Sequence, residues 1–267
     1  MYIVGELINA SRKKIAAAIE ERDSIYIKKI AQDQEKAGAD FIDVNAGVFG
    51  EHEAEHLQWL VEIVRSVTEK PCCIDSPDPN AIEAALAVYQ GPTPMINSIS
   101  LEKERWEDLL PILSGSDLRV VALCMSDDGM PQTADERIRI ADRLINGLVR
   151  NGIRVENIFV DPLVQPLATN SACGMAILDA IELILAGFPG VHTICGLSNI
   201  SYGLPERKLL NQAFMVMAIT KGLDGAIIDP LDKRMMGNIR AAEVLRGRDG
   251  YCMEYLQAYR AGLFDFA

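Results

Sequence analysis

The sequence predicts a (β/α)8 barrel, formed by one domain that spans residues 1–267. Eight short apolar segments have the length and composition of buried strands, and each is followed by a stretch with helical periodicity. Strands that alternate with helices form a parallel sheet, and eight such units close into a barrel. The chain length of 267 residues is close to the roughly 250 that one such barrel needs.

The predicted strands are apolar at their start and end in acidic, amide or small polar residues. Strands of a parallel barrel are buried on both faces, so polar residues at their carboxyl ends are unusual and point to a function. In chain order the segments are YIVGELIN (2–9), FIDVNAG (41–47), PCCIDS (71–76), PMINSIS (94–100), VVALCMS (120–126), IFVDPL (158–163), TICGLSN (193–199) and GAIIDP (225–230).

The predicted helices repeat apolar residues every three or four positions. Leu57, Leu60, Val61 and Val64 show this period clearly, and Pro79 stands where a helix accepts proline in its first turn. The helical stretches are 11–36 with a break near 23–24, 52–69, 79–90, 101–113, 134–151, 175–186, 207–221 and 232–246, followed by a short helix in 251–263.

The composition excludes several classes of protein. The chain has 26 basic and 38 acidic side chains and a net charge of −12, which disfavours nonspecific binding to nucleic acid. No apolar run reaches the length of a membrane span, and the first segment has the character of a strand and not of a signal peptide. The six cysteines have no CxxC spacing, and four lie in predicted strands. We therefore expect a cytoplasmic protein that binds neither nucleic acid nor membrane.

Polar residues gather at the rim where the strands end. Asp43, Asp75 and Asp161 interrupt apolar strands, and a buried carboxylate is costly unless it is hydrogen-bonded. Each one alone could equally cap a helix or bind loop amides, but with Asn97 and Asn199 they favour a ligand site. Carboxylates and amides without a basic cluster suit a ligand with amino and ring N–H donors and not a phosphate. The rim also receives Glu6, Asn9, Asn45, Ser198 and Asp229.

Other barrel chemistries fit the sequence less well. No lysine ends a predicted strand, as a Schiff-base aldolase requires, and none of the three histidines does, as a His-rich metal centre requires. Asp75 and Asp161 could form a glycosidase pair, but aromatic residues make up only 6% of the chain and both tryptophans lie on helices.

The segment from His52 to His56 matches the zinc protease motif H-E-x-x-H. Its surroundings, GEHEAEHLQW, are polar, whereas the helix of a zinc protease is buried and apolar around the motif. No third histidine follows in register. We interpret the segment as a solvated first helical turn, and we expect no metal in this chain.

Seven segments in this order resemble the pterin-binding methyltransferases. Within that family they are most similar to the stand-alone methyltetrahydrofolate–corrinoid protein methyltransferases, including methyltransferase II of O-demethylase systems, which are related to the pterin domain of cobalamin-dependent methionine synthase. The resemblance covers nearly the whole chain. The segments are GELIN (5–9), FIDVNAG (41–47), CIDS (73–76), MINS (95–98), DPL (161–163), GLSN (196–199) and ERKLLNQAFMVMAI (206–219).

The resemblance implies a barrel enzyme that binds folate with the pterin in the barrel mouth. Members of the family transfer a methyl group between N5 of tetrahydrofolate and the cobalt of a corrinoid on a separate protein. It therefore implies tetrahydrofolate and 5-methyltetrahydrofolate as substrates, a corrinoid (cobalamin) protein as a transient partner, and a homodimer. The acetyl-CoA route and O- or N-demethylation are both compatible with the sequence.

The resemblance also implies roles for residues. The positions of the family's pterin ligands match Asp75, Asn97 and Asp161, and its asparagine near N5 matches Asn199, which we expect to be catalytic. Gly196 and Ser198 match residues that line the pocket, and Arg207 matches an arginine near the folate tail, while Tyr202 replaces a glutamine of the acetogen enzyme. Further positions expected at the site are Glu6, Asp43, Asn45, Met125, Tyr202, Ile227 and Asp229.

The residue chemistry agrees with these roles. One carboxylate can accept both the ring N–H and the exocyclic amine of a 2-amino-4-oxo pyrimidine, and Asp161 is the expected partner. Asn199 is too weak an acid to protonate N5, so we expect it to hydrogen-bond N5 while solvent supplies the proton.

Two alternatives remain at this point. Dihydropteroate synthase shares the fold, but it requires a glycine-rich D-P-G-x-G-F segment and a late lysine, where this chain has DPLVQP at 161–166. A noncatalytic folate-binding subunit is the second alternative.

Overall fold

The structure, a computed structural model that describes residues 1–265, is a closed barrel of eight parallel strands. Each strand pairs with the next one in the chain, and β8 pairs with β1 to close the sheet. This confirms the predicted (β/α)8 architecture, while the predicted domain end at residue 267 lies outside the described residues. The strands are β1 Tyr2–Asn9, β2 Phe41–Asn45, β3 Cys72–Asp75, β4 Met95–Leu101, β5 Arg119–Ser126, β6 Ile158–Asp161, β7 His192–Gly196 and β8 Gly225–Ile228.

Helices surround the barrel, and four of those in the described part of the chain begin at a side-chain N-cap. Asp78 accepts the N–H of Asn80 ahead of the helix that Pro79 opens, and Thr133 and Glu136 form a reciprocal capping box. No helix within residues 1–265 is long and apolar enough to cross a membrane. The helices are α1 Lys13–Glu20, α2 Ser24–Lys36, α3 Glu53–Arg65, α4 Pro79–Val88, α5 Lys103–Leu113, α6 Ala134–Arg150, α7 Cys173–Gly187, α8 Arg207–Lys221, α9 Lys233–Leu245 and α10 Met253–Arg260.

The predicted break in the first helical stretch is real. The chain separates α1 from α2 at Arg22, which has a positive φ of 55°. Asp23 then caps α2, because its carboxylate accepts the N–H of Tyr26 at 3.0 Å. The stretch therefore forms two helices and not one.

The lower part of the barrel interior, at the amino ends of the strands, is filled by apolar and aromatic side chains. Phe159 stacks on the ring of His192 at 4.6 Å and meets Tyr2 edge-on at 5.3 Å. His192 Nδ1 lies 2.6 Å from Asp224 Oδ2, which gives the ring a fixed partner. The inner layer therefore closes the barrel interior below the carboxyl ends of the strands. The fully or nearly fully buried members of this inner layer are Val4, Phe41, Cys73, Met95, Val121, Phe159 and Ile194.

Candidate active site at the barrel mouth

The polar residues of the rim continue the inward-facing rows of the core. Side chains alternate along a strand, so the residue two positions after an inward-facing residue also faces inward. This applies to the predicted aspartates and to their strand neighbours. The inward positions directly above the apolar layer include Glu6, Asp43, Asp75, Asn97, Leu123, Asp161 and Gly196.

Three predicted residues stand side by side on neighbouring strands. Asn45 is paired in register with Asp75, and Asp75 with Asn97. The Asn45 amide donates to Asp75 Oδ2 at 2.9 Å, and its own carbonyl oxygen accepts the N–H of Gly47. This wall of β2, β3 and β4 therefore presents a carboxylate with an amide on each side.

Asp161 lies on the other side of the mouth, at the end of β6. Its Oδ1 accepts the N–H of Leu163 at 2.8 Å, and the backbone of Gly196 also donates to its carboxylate. Burial raises the pKa of Asp161 to about 6, although these N–H groups and the Arg137 guanidinium oppose the rise. Asp161 is thus a buried acid that ionises near neutrality.

The carboxylates of the opposite wall are also perturbed by burial. Burial raises the pKa of Asp75 to about 6 against the opposing effects of the Asn45 amide and Arg105. Burial and the neighbouring Asp75 raise the pKa of Asp43 well above its ordinary value. Asp43 Oδ1 is buried without a hydrogen-bond partner among the described residues. Unsatisfied carboxylate oxygens in a dry pocket suit a ligand that brings N–H donors.

The segment after β7 brings Asn199 to the opening. A short 3-10 segment over Leu197–Ser201 follows Gly196 directly, and Asn199 is exposed on it. A Cβ at Gly196 would lie 3.9 Å from Asn199 Nδ2 and would project into the space they share. Gly196 and the Asn199 amide therefore border the same space at the opening of the barrel.

Arg207 braces this segment from the start of α8. Its guanidinium donates to Ser198 O at 2.7 Å and to Ser201 Oγ at 3.1 Å, and it lies over the ring of Tyr202 at 5.9 Å. Ser198 joins α8 through two contacts. Its carbonyl oxygen accepts from Arg207, and its hydroxyl lies 3.5 Å from Asn211 Nδ2. The predicted contact of Arg207 with a folate tail stays a prediction.

Four predicted residues line a cleft beside Asn199. Glu6, Ser198, Arg207 and Asp229 line a cavity of about 460 Å³ between β1, β8 and α8, which also contains Arg12 and Lys208. Glu6 forms an ion pair with Arg12 at 2.8 Å, and burial raises its pKa. Asp229 accepts the N–H of Leu231 at 2.8 Å. This cleft carries both signs of charge, unlike the acid and amide walls of the mouth.

The remaining predicted positions are apolar or aromatic. Met125 follows Leu123 on the inward side of β5, and Ile227 is paired with Gly196 and packs against the inner apolar layer. Tyr202 is 65% exposed on the rim. Their positions suit the floor and the edge of a pocket and not a polar contact.

A comparison with protein families identifies the class of binding site at the barrel mouth. The model of the pterin binding enzymes matches residues 5–229, which include every strand end described above. The chain belongs to the pterin binding enzyme family. This confirms the family that the sequence motifs predict.

Individual relatives of this pterin-binding enzyme agree with that result. It is 37% identical over 264 residues to a methylcorrinoid:tetrahydrofolate methyltransferase of Eubacterium limosum, covering 98% of this chain and 97% of that protein. It is 29% identical over 241 residues to the methionine synthase of Mycobacterium tuberculosis, covering 85% of this chain but 20% of that protein. Among solved structures, a dihydropteroate synthase of Xanthomonas albilineans has a TM-score of 0.68 over 93% of both chains at 19% identity, a likeness of fold alone.

Two arginines of the pterin-binding enzyme were missed by sequence reasoning. Arg105 donates to Ser76 O, Pro77 O and Ser98 O and so ties together the loops that follow Asp75 and Asn97. Arg137 is fully buried and donates to backbone carbonyls next to Asp161. Both stand in highly charged helices, where an arginine normally faces solvent. A signal existed for Arg137, because it shares the buried face of α6 with Ile140, Ala141 and Leu144.

The zinc-like segment is not the solvated turn that its polar sequence predicts. Glu53 is only 3% exposed, and its carboxylate accepts the hydroxyl of Ser76 beside the site. The ring of His56 packs on Phe49 at 4.2 Å, while His52 is exposed. The prediction failed because Ser76, which covers Glu53, is distant in sequence. Within residues 1–265, no group of three or more His, Cys, Asp or Glu side chains is arranged to hold a metal ion.

Proposed function

We propose that this chain transfers a methyl group between N5 of tetrahydrofolate and the cobalt of a corrinoid carried by a separate protein. The relative from Eubacterium limosum, whose name states both partners of such a transfer, matches 98% of the chain. The observation that carries the proposal is the mouth itself, where the Asn45–Asp75–Asn97 ladder faces Asp161 above a closed apolar core. That donor-poor, acceptor-rich mouth suits a pterin, which is rich in N–H groups.

In this proposal each of the two walls binds a different edge of the pterin. Asp161 accepts the ring N–H and the exocyclic amine as a bidentate pair, since Leu163 already holds the carboxylate in orientation. Asp75 and Asn97 accept and donate to the remaining pterin nitrogens and oxygen, with Asn45 and Asp43 behind them. Gly196, Ile227 and Met125 supply the floor and the space.

The methyl group then lies at the opening, next to Asn199. In transfer to the corrinoid, cobalt attacks the methyl carbon, the C–N electron pair stays on N5, and N5 takes a proton from solvent. In the reverse direction the N5 lone pair attacks the methyl carbon of the methylcorrinoid, the Co–C bond breaks with its electron pair staying on cobalt, and N5 releases its proton to solvent. In both directions the Asn199 amide hydrogen-bonds N5 and favours its charged form. Holding the pterin rigidly makes the in-line approach to cobalt effectively intramolecular.

The corrinoid-bearing partner docks over the rim, because cobalt must reach N5. Val48, Met130 and Tyr202 stand on three different loops of the rim and are 58%, 58% and 65% exposed. A few separate apolar contacts suit a transient complex, whose carrier protein leaves after each turnover. The corrinoid therefore stays with its carrier.

We also propose a cytoplasmic homodimer. All six cysteines are free thiols, as expected in a reducing compartment. Neighbouring helices α7 and α8 expose apolar side chains, among them Leu183, Leu209 and Met217, which would supply the contact between two copies. Sedimentation analysis of the wild type and of a Met217→Asp variant tests this, because the charge should produce monomers.

Calorimetric titration with tetrahydrofolate, followed by methyl exchange with free cob(I)alamin, tests the central proposal. We expect binding and transfer in the wild-type protein. Binding without transfer to free or protein-borne corrinoid would identify a noncatalytic folate-binding subunit. Condensation of p-aminobenzoate with a pterin diphosphate would identify a dihydropteroate synthase, against which the DPLVQP sequence at 161–166 argues.

A further inference from the structure

We infer that Arg137 is a positioning residue for Asp161: it fixes the turn after β6 and keeps that carboxylate charged and aimed into the barrel mouth. The ligand that Asp161 then receives rests on the proposed function. The effect of Arg137 on the ionisation of Asp161 is present in the ligand-free protein, so it can be measured without any ligand.

Arg137 is an unusual buried cation. Its side chain is 0% exposed, and its hydrogen bonds run to three carbonyl oxygens and not to a carboxylate. The acceptors are Pro162 O at 2.6 Å, Thr133 O at 3.1 Å and Leu163 O at 3.4 Å. A guanidinium buried without a carboxylate in direct contact is expensive, so a hydrophobic residue would serve stability better at this position. The burial of the charge therefore calls for a function.

The contacts of Arg137 surround the turn that orients Asp161. Pro162 and Leu163 follow Asp161 directly, and Leu163 has a φ of +63°, a left-handed conformation that a leucine rarely adopts. The N–H of this strained residue is the one that donates to Asp161 Oδ1 at 2.8 Å. By binding the carbonyl oxygens of Pro162 and Leu163, the guanidinium stabilises the turn that supplies this N–H.

Arg137 is also the cation that acts on the Asp161 carboxylate. The other titratable groups that face Asp161 are the thiols of Cys124 on β5 and Cys195 on β7, and burial raises the pKa of both. Between pH 5 and 8 these thiols are neutral, so they do not compete with Arg137. Around the guanidinium itself stand Glu136 on α6 and Cys173 on α7.

The sign of the effect follows from these charges. Burial already raises the pKa of Asp161 to about 6, and the positive charge of Arg137 works against that rise. Removing the charge should raise the pKa further, so that a larger fraction of Asp161 is protonated at neutral pH. A protonated carboxyl accepts fewer N–H bonds, so the site would lose its ionised acceptor.

The same guanidinium also joins the β5–α6 loop to the β6–α7 loop through Thr133 O, next to the bond from Gln165 Nε2 to Pro131 O at 2.8 Å. The alternative is that Arg137 only holds these two loops together and has no effect on Asp161. A general structural role would weaken ligand binding equally at every pH, whereas control of Asp161 predicts a pH-dependent loss.

The test measures the ionisation of Asp161 directly. Aspartate carboxyl carbons labelled with ¹³C are titrated by NMR in the ligand-free protein, with Asp161 assigned by its absence in Asp161→Asn. The variants are Arg137→Gln, Arg137→Lys and, as a matched control, Arg150→Gln, which removes an exposed arginine of the same helix. We expect the midpoint near 6 in the wild type and control, about one pH unit or more higher in Arg137→Gln, and between them in Arg137→Lys.

A second readout follows tetrahydrofolate affinity against pH. For Arg137→Gln we expect a loss of about twofold at pH 7 that grows to about ninefold at pH 5 and disappears by pH 8.5, because a one-unit shift lowers the ionised fraction of Asp161 by these factors. An unchanged Asp161 midpoint in both folded Arg137 variants overturns the inference, and so does an affinity loss independent of pH. If Arg137→Gln fails to fold, Arg137→Lys carries the same test. A shifted Asp161 midpoint in a protein that binds no folate would confirm the positioning role of Arg137 and reject the proposed function.

Discussion

The two ends of the barrel interior are built from the same eight strands but have opposite chemistry. At the lower end, Phe159, Tyr2 and His192 pack their rings against one another, and the apolar layer around Phe159 is fully or nearly fully buried. At the upper end, burial raises the pKa values of Asp43, Asp75 and Asp161, and Asp43 has a buried oxygen without a partner in the described chain.

The difference shows where stability and function are separated in this molecule. Apolar packing at the lower end favours folding, whereas burial of carboxyl groups at the upper end opposes it when they ionise. Strands held rigidly at one end can present strained or unsatisfied groups at the other. Changes at the lower end should therefore affect folding, and changes at the upper end should affect ligand binding and turnover.

The strongest test of this division is Phe159→Ala at the lower end. Removing a fully buried ring should lower the free energy of unfolding by about 3–5 kcal/mol, because a cavity replaces its contacts. Urea denaturation measures this change. Tetrahydrofolate affinity of the folded variant should stay within about threefold of wild type (roughly 0.6 kcal/mol), and a large loss would mean that the two ends are not independent.

Asp161→Asn should give the opposite result at the upper end. Losing charge-assisted bonds to the pterin should cost about 2–4 kcal/mol of binding. The ligand-free protein should become more stable at pH 7, by about 1–3 kcal/mol, because an amide has no ionised form to desolvate. Calorimetric titration and thermal unfolding measure the two effects, and a variant that is both weaker-binding and less stable would contradict the comparison.

In the wild-type protein, stability and tetrahydrofolate affinity should change in opposite directions with pH. The pKa of Asp161 is raised from 3.8 to about 6 on folding, so the folded state holds that proton more tightly than the unfolded state. The contribution of this group to stability is therefore greatest below pH 4 and falls as the pH rises to 6. Tetrahydrofolate affinity should rise over pH 5 to 7, as Asp161 and Asp75 ionise. Affinity that falls across this range would show that the neutral acids bind the pterin.

Asn199→Ala should separate binding from turnover within the upper end. Under the proposed function, the exposed amide contacts N5 mainly as charge develops there, so its removal should lower methyl transfer about tenfold to a hundredfold. Folate affinity should change much less. Single-turnover kinetics with free cob(I)alamin measure the rate, and equal losses in binding and rate would make Asn199 only a binding residue.

The smallest expected effect is at the outer rim, with Met130→Glu. A charge on this exposed side chain should raise the apparent KM for the corrinoid protein several-fold, about 1 kcal/mol, and leave folate affinity unchanged. Transfer to free cobalamin is the internal control, since no docking is involved. Equal slowing with both acceptors would assign the loop to the active site itself.

Local sequence determined the barrel, most of its helices and the ring of acids and amides. Apolar segments of strand length alternate with helical periods, and polar residues stand at or near the strand ends, so the sequence pattern alone assigns Asp75, Asn97 and Asp161 to one rim. The break before α2 was also readable, because the capping residue Asp23 is local to the helix. These features depend on neighbours within a few residues, which a sequence shows directly.

Only the tertiary structure decided which rim residues lie together and which distant side chains hold them in position. It places Glu6 and Asp229 in a cleft beside the Asn199 segment, buries Glu53 against Ser76, and turns Arg137 inward to the loop that orients Asp161. Each of these contacts joins residues more than twenty positions apart or depends on which face of a helix meets the sheet. The apolar face of α6 indicates that Arg137 is buried, but which carbonyl oxygens it binds depends on how α6 packs against the barrel.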